Sequence, residues 1–556
     1  MTVNASSSSA TVPPEHPRPD AGPAALRLDL LATGRLAPVA AAALQGKADE
    51  LLSPLRYLPA GDLPEGPSVL ADRRRLAEGL AVANESYGHP RARELAGKLA
   101  EPKTLVVVTG QQPGLFGGPL YGLSKMVAAA RWAAHLEASG QPAVAVFWVA
   151  TEDHDFAEVS KATFLGPQDV ASYDLGEDPQ PLLPVGMRTL GPNVQEVLSA
   201  LEELFPGERA ETWWRTVGRW YRPDARFGEA FCRLMVGLLG ERCPLMLDAL
   251  LPAVKEAEAP WLRRFVERRE AFGDAVAEAH RQVEEAGLPL QVTPQPRVSP
   301  LFLLRGQERR RIEWRGEGRA RFRLRGDGGS EEPVDELLRI LDENPSVVGP
   351  GVLARPAIQD AILGTALQVI GPGELSYMVQ ASAAYGVLEV PAPRTVLRPQ
   401  VIVLEPRHRR WIEELDLTLE ELLGDERDLE SRLARRAGVD LMGPAAQRID
   451  AVLEQVRGPA VALDANLDKP WERTRDQILK NLDQFAGRVR AAAARSNEVE
   501  RQRLHALRTL LLPSGKLQER QLSTAHFPAK YGDGLVAALW EQMDLDPRYL
   551  QTITLR

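Results

Sequence analysis

Cysteine is scarce in this sequence: Cys232 and Cys243 are the two in 556 residues, and they form no C-x-x-C pair. That argues against a disulfide framework and fits a reducing compartment. Neither has histidine neighbours at zinc-ligand spacing, so a local structural zinc site has no support. Cys232 stands among Phe227, Phe231, Leu234 and Leu238 at helical spacing, and both cysteines are expected as packing residues. Long apolar runs are missing too. Ala143 to Ala150, the strongest run near the motifs, falls far short of the ~20 residues that cross a bilayer. Nor is there an excess of positive charge. With 67 Lys+Arg against 76 Asp+Glu the net charge is −9, which speaks against bulk coating of nucleic acid or anionic membrane. The start, Met1 to Pro23, is rich in Ser and Pro but has no basic n-region and no apolar h-region. It does not read as a signal peptide, and a disordered tail is expected there. A soluble, cytoplasmic protein is the expectation.

What is present is an ordinary globular composition, 44% apolar and 26% charged. The length suits three or four domains, or one with large insertions. Short helices are expected from Leu26 to Ala100. Thr104–Thr109 is then a β-branched run ending in a glycine-rich loop, Gly110–Gly118, with Pro119 placed for a helix's first turn. A helical stretch to about Ala138 and the apolar run Ala143–Ala150 follow. This strand–helix–strand succession predicts parallel strands joined by a right-handed crossover. The pattern loosens from about Gly166 to Ser346, where Arg311–Arg315 and Arg319–Arg325 predict a hairpin. It returns to α/β character from Gly349 to Glu405, with a helix near Glu374–Tyr385 and a strand Val401–Leu404. Beyond Pro406 the chain reads as helical. Ile478, Leu482, Phe485, Val489 and Ala492 keep heptad spacing, and Ile449 to Leu467 offers a second such stripe, which together predict an antiparallel coiled-coil arm. Gly458-Pro459 is expected to interrupt the first of these helices. The division read from these shifts is a tail over 1–25, an α/β core over 26–165, an inserted connecting region over 166–346 and the core's second part over 347–406. A helical arm over 407–510 and a segment over 511–556 packing back on the core complete it.

In an open parallel sheet, ligands bind beyond the carboxyl ends of the strands, and two loops leave adjacent strands there. The first runs from Thr109 to Tyr121. Its glycines, Gly110, Gly117 and Gly118 among them, with Gln111, Gln112, Tyr121 and Lys125, suit either an anion site or a tight structural turn. The second, Thr151 to Glu158, packs four carboxylates around His154. Asp153, His154 and Asp155 suit general-base work or orientation of an ammonium group; a metal site and a helix cap are the alternatives. In Gly371–Tyr377, Glu374 and Tyr377 lie one helical turn apart and suit either an amine site or a helix cap. Nine arginines between Arg305 and Arg325 suggest nucleic acid. Yet Arg321, Arg323 and Arg325 alternate with Phe322 and Leu324 as a strand's wet face does, so a solvated hairpin is expected.

Together these stretches resemble a known family. Val108–Tyr121 with Lys125, Val146–Phe156, Gly371–Tyr377, Leu512–Arg520 and Lys530–Gly532 are similar to the corresponding motifs of the bacillithiol biosynthesis cysteine-adding enzymes. The likeness covers nearly the whole chain after the tail. It implies a Rossmann-like core akin to class I aminoacyl-tRNA synthetases and other nucleotidyltransferases, an inserted connecting domain, an antiparallel coiled coil and a homodimer. It also implies the reaction, a cysteine ligase that joins cysteine's carboxyl group to the amino group of glucosaminyl malate. Gly117–Tyr121 stands where synthetases carry His-x-Gly-His, and no Lys-x-x-Lys-Ser follows the later strands, where only Arg394 and Arg398 occur. ATP is therefore an open candidate, and no metal ligand set is assigned. On this reading the glycine loop with Gln111, Gln112, Tyr121 and Lys125 holds an anionic group. Asp153, His154 and Asp155 bind and deprotonate the amine. Glu374 and Tyr377 hold the cysteine amino end, and Arg398 supplies a further positive charge. The rivals are a synthetase-like nucleotidyltransferase acting on tRNA and a non-catalytic coiled-coil scaffold.

Overall fold

The computed structural model describes residues 25–59, 61–64, 72–167, 169–293, 295, 297–436, 442–496 and 498–556. All but the last residue of the expected tail lies outside them. The chain up to Leu404 with Gln518–Arg556 makes one compact unit, and Glu405–Leu517 a second.

The first unit is built on a six-stranded parallel sheet. Its strands lie in the order Arg56–Tyr57, Arg394–Leu397, Thr365–Ile370, Leu105–Gln111, Ala143–Val149, Leu245–Asp248. The predicted crossover forms, with helix Leu120–Ala138 between the two strands that the apolar runs mark. Every residue of Ala143–Val149 is buried, as a strand covered on both faces requires. Val106, Val108, Val144, Val146 and Trp148 face helices Arg74–Tyr87 and Ala92–Ala100 in one apolar cluster. On the other face Phe147 stacks on Phe231 of helix Phe227–Leu239, with ring centroids 6.0 Å apart. Cys232 and Cys243 are free and buried, as expected of packing residues. Successive connections leave Leu105–Gln111 toward Ala143–Val149 on one side, while the later strands lie on the other. The topological switch point therefore falls between Leu105–Gln111 and Thr365–Ile370.

One expectation changes. The strand Gln400–Leu404 does not continue the core sheet but pairs in parallel with Tyr549–Thr554, which Arg27–Asp29 flanks. Pro399 has no N–H to donate, so the core ladder ends at Leu397 and the chain departs. The predicted hairpin forms between Glu308–Arg315 and Arg321–Leu324, within a five-stranded sheet that includes Val298–Arg305 and Val348–Pro350.

In the second unit, helices Gly443–Leu463 and Asp468–Ser496 run antiparallel. Arg457 meets Asp468 at 3.0 Å, Trp471 Nε1 donates to the Leu453 carbonyl at 3.3 Å, and Arg475 meets Asp450 at 2.6 Å. The expected interruption does not occur: Gly443–Leu463 runs through Gly458 and Pro459, since one missing N–H removes a single helical bond. Ile478, Leu482 and Val489 are half-buried, whereas Phe485, Val452, Val456 and Leu463 stay exposed. The side chain of Ala492 lies outside the described ones. Among the described residues no helix is long and apolar enough to cross a membrane.

Candidate active site

The glycine loop is fastened on all sides. The N–H groups of Gly114, Gly117 and Gly118 donate to the Gln112, Gly114 and Leu115 carbonyls, and that of Leu120 to the Leu522 carbonyl. Thr524 N–H and the hydroxyls of Ser523 and Thr524 take up the carbonyls of Gly118, Phe116 and Gly117. Phe116, at φ 51°, drives its ring among Phe164, Trp214 and Tyr221. Gly117 has φ 85°, and a Cβ there would stand 2.9 Å from Thr524 Cβ. These donors are spent inside the protein, which makes this part of the loop a tight turn that fixes the entrance of helix Leu120–Ala138.

The side chains leaving that turn converge on the switch point. Lys125 is buried, with Nζ 2.9 Å from the Gly110 carbonyl, 3.0 Å from Gln111 Oε1 and 2.5 Å from Glu374 Oε2. Burial pulls its pKa below the usual lysine value, and the Glu374 carboxylate pulls it partly back. Gln111 Nε2 donates to the Tyr121 hydroxyl at 2.9 Å. Glu374 sits in the first turn of helix Pro372–Ala381, where Oε2 also accepts the Gly371 N–H at 2.7 Å. Its other oxygen has no partner among the described residues. Of the two expectations for Glu374, the structure shows the helix cap, and the other carboxylate oxygen is left over. Tyr377 accepts from Arg355 at 3.4 Å, and burial pushes its hydroxyl up to about 12. Arg398 does not offer a free charge. It is buried in a two-pronged bond to Glu519, at 2.6 and 2.8 Å, with Nε unpartnered among the described residues. Glu519 also accepts the Val401 N–H, and Gln518 bonds both the N–H and carbonyl of Val403. The C-terminal motif thus stitches this edge together.

The four carboxylates of the acidic loop have four different fates. Glu152 is buried and meets Lys255 of helix Pro252–Glu267 at 2.5 Å; Glu258 meets the same ammonium at 2.9 Å. Burial raises Glu258 to about 8. Asp153 spends one oxygen on the His154 N–H at 2.7 Å and the other on Gln112 Nε2 at 2.6 Å. Gln112 Oε1 is left buried without a partner among the described residues. Asp155 caps helix Phe156–Val159 through the Glu158 N–H at 3.1 Å. Glu158 has no side-chain partner among the described residues, and desolvation with the Asp155 and Asp153 charges raises its carboxyl above the ordinary range. Of the four carboxylates one is thus buried and three lie at the rim. His154 lies beside Arg309, whose Nη1 is 3.3 Å from Nδ1. Burial and the Arg309 charge hold its pKa below the usual histidine value.

Several residues here escaped the reading of the sequence. Lys255 and Glu258 sit in a helix with no motif. Asp248 ends the last core strand and accepts from Thr151 and from the Leu250 N–H at 2.9 Å. Glu519 lay inside a quoted motif without a role, and Arg309 was one of nine arginines expected on a wet hairpin. Arg305, Arg321, Arg323 and Arg325 are exposed as expected, with ion pairs such as Arg305–Glu332 and Arg323–Glu313. Among the described residues no group of three metal-ligating side chains occurs.

Fold and edge together define a Rossmann-like α/β protein with a polar, carboxylate-bearing sheet edge beside its topological switch point. Comparison with known proteins narrows the class. Residues 64–399 match the family described as "Bacillithiol biosynthesis BshC, N-terminal Rossmann-like domain". Residues 401–547 match "Bacillithiol biosynthesis BshC, C-terminal coiled-coil domain". The chain belongs to the BshC family. Relatives named "Putative cysteine ligase BshC" include one from Salinibacter ruber, 32% identical over 87% of this chain and 89% of its own length. Another, from Solibacter usitatus, is 30% identical over 90% and 93%. A structure named as a "putative arginyl t-RNA synthetase" from Campylobacter jejuni aligns over 82% of this chain and 98% of its own, at 10% identity and a TM-score of 0.22.

Proposed function

We propose that this chain is a cysteine ligase of bacillithiol synthesis, joining the carboxyl group of cysteine to the amino group of glucosaminyl malate by an amide bond. Membership of the BshC family supports the reaction class. The observation that carries it to the residues is the pair of unspent acceptors at the switch point, Glu374 Oε1 and Gln112 Oε1. Both substrates bring an amine. Glu374, with Tyr377 beside it, receives the cysteine ammonium, and Lys125 holds Glu374 in place. Gln112 orients the attacking amine, and His154 stands beside it. The carboxyl must be activated, and the amine must lose a proton before it attacks. By elimination that proton goes to Glu158, because Glu152, Asp153 and Asp155 are each committed elsewhere. Arg398, locked to Glu519, shapes the wall next to Gly371.

ATP with magnesium is the activating cosubstrate to try first. The test is mass spectrometry of the purified protein with cysteine and glucosaminyl malate, with and without ATP and magnesium. Bacillithiol formed with ATP alone supports ligation through an activated acyl group, and product without ATP points to another activated donor. Folded protein that gives no product under either condition rejects the reading. The protein works in the cytoplasm, without nucleic acid, as a homodimer. The exposed Val452, Val456 and Phe485 of the arm supply the contact, and light scattering of Val456→Ser/Phe485→Ser checks it by a halved mass.

A further inference from the structure

Arg309 reaches the acidic loop from the inserted region and is the least expected group there. It belongs to strand Glu308–Arg315, whose register sets Phe302 of the adjacent strand opposite Arg311 and diagonal to Arg309. All three side chains therefore share one face. The Arg309 guanidinium carbon lies 3.7 Å from the centre of the Phe302 ring, Nη2 donates to the Pro350 carbonyl at 3.1 Å, and the residue is 8% exposed. Ring and carbonyl fix its plane, and Nη1 comes to rest 3.3 Å from His154 Nδ1.

A guanidinium donates and never accepts. The nitrogen that faces it must therefore carry a lone pair, and the proton of a neutral imidazole then sits on the other nitrogen. The competing carboxylate does not reverse this: Asp153 Oδ1 is 3.7 Å from Nδ1 and already accepts the His154 N–H. From these contacts we infer that Arg309 is a positioning residue that locks His154 in the Nε2–H tautomer, so that the imidazole presents a hydrogen-bond donor to the substrates rather than a base. This rests on the ligase reading only for what the donor meets. It deepens that reading by separating two tasks: His154 holds an electron-rich oxygen of the substrate, and the proton leaves through a carboxylate. The charges facing the ring are Asp153 and Asp155 on its own loop and Arg309 and Arg311 on the hairpin; the arginines oppose ring protonation and the aspartates favour it.

The test uses the full chain with ring-15N-labelled histidine, the His154 signals being assigned by their loss in His154→Gln. In the wild type Nδ1 should show an unprotonated shift and Nε2 a protonated one, with the ring titrating below the usual histidine value. Arg309→Met keeps bulk and removes the donor, and should move both signals toward a tautomer mixture and raise the titration point. Phe302→Leu leaves the arginine charge but frees its plane, and should give a smaller shift of the same sign; it covers the case in which Arg309→Met does not fold. Turnover in Arg309→Met should fall roughly 10–100-fold, as for other partners that orient a histidine, with KM moving less. A proton on Nδ1 in the wild type, or His154 signals unmoved in both folded variants, overturns the inference. If the signals behave as stated but His154→Gln ligates normally, the tautomer lock stands and the role of His154 in ligation falls.

Discussion

Two lysines are buried near the functional loops, and one meets a single carboxylate where the other meets two. Lys125, at the switch point, meets Glu374 and two neutral oxygens, and its pKa lies below the usual lysine value because desolvation outweighs one opposite charge. Lys255, behind the acidic loop, meets Glu152 and Glu258, and its pKa lies above the usual value although burial opposes it. Both ammoniums are buried; the Arg398 and Arg355 charges add to the desolvation of Lys125, whereas a second carboxylate supports the charge of Lys255. The first lysine holds a group that keeps a spare oxygen for substrate. The second holds the root of the loop that carries Asp153 and His154.

Removing the cation from each side sharpens that contrast. Lys255→Met leaves the buried Glu152 carboxylate without its cation beside Glu258 and should cost about 3–5 kcal/mol in urea denaturation, the penalty for breaking a buried pair from one side. A loss below about 1 kcal/mol would mean that the cluster is wetter than its burial indicates. Lys125→Met should do less to stability, since Glu374 reaches solvent and keeps the Gly371 N–H. Its ligation rate should fall roughly 100-fold, as when one positioned electrostatic group is lost, and mass spectrometry of initial rates decides. A variant of normal rate would place Lys125 in the scaffold alone.

The same contrast predicts a pH dependence. Glu258 is raised from its ordinary 4.5 to about 8 by burial, so between those values the folded chain keeps a proton that the unfolded chain releases. That stability is full below the ordinary value and is lost as pH rises toward about 8. Urea midpoints measured from pH 5 to pH 9 should decline in the wild type and decline less in Glu258→Gln; parallel curves would put the shift elsewhere. The smallest effect is expected at the rim. Asp155→Ala removes the cap of a four-residue helix, should cost about 1 kcal/mol and should leave turnover within a few-fold, which separates capping from catalysis.

Much of the fold was legible because it is written in local periodicity. The fully apolar Ala143–Val149, the β-branched Leu105–Val108 and the heptads of the arm each announce a surface that must be covered, whichever partner covers it. Part of the candidate site was legible for the same reason, as loops following buried strands point to the sheet's carboxyl edge. Read residue by residue, it misled. The glycines signalled a backbone close to something, and that something is Ser523 and Thr524 from the C-terminal segment. The density of charge in Thr151–Glu158 gave no way to know that Glu152 turns inward to Lys255 while Asp155 caps a helix.

The sequence by itself determined the strands, the crossover, the antiparallel arm and the edge of the sheet where chemistry gathers, because hydrophobic burial follows spacing along the chain. Only the tertiary structure decided which charges survive as chemistry. Arg398 is neutralised by Glu519, 121 residues away, and Arg309 reaches His154 across 155. An ion pair or a tautomer depends on a few ångströms between groups brought together by folding, and on how much water folding leaves around them. Neither quantity is carried by the spacing of residues along a chain.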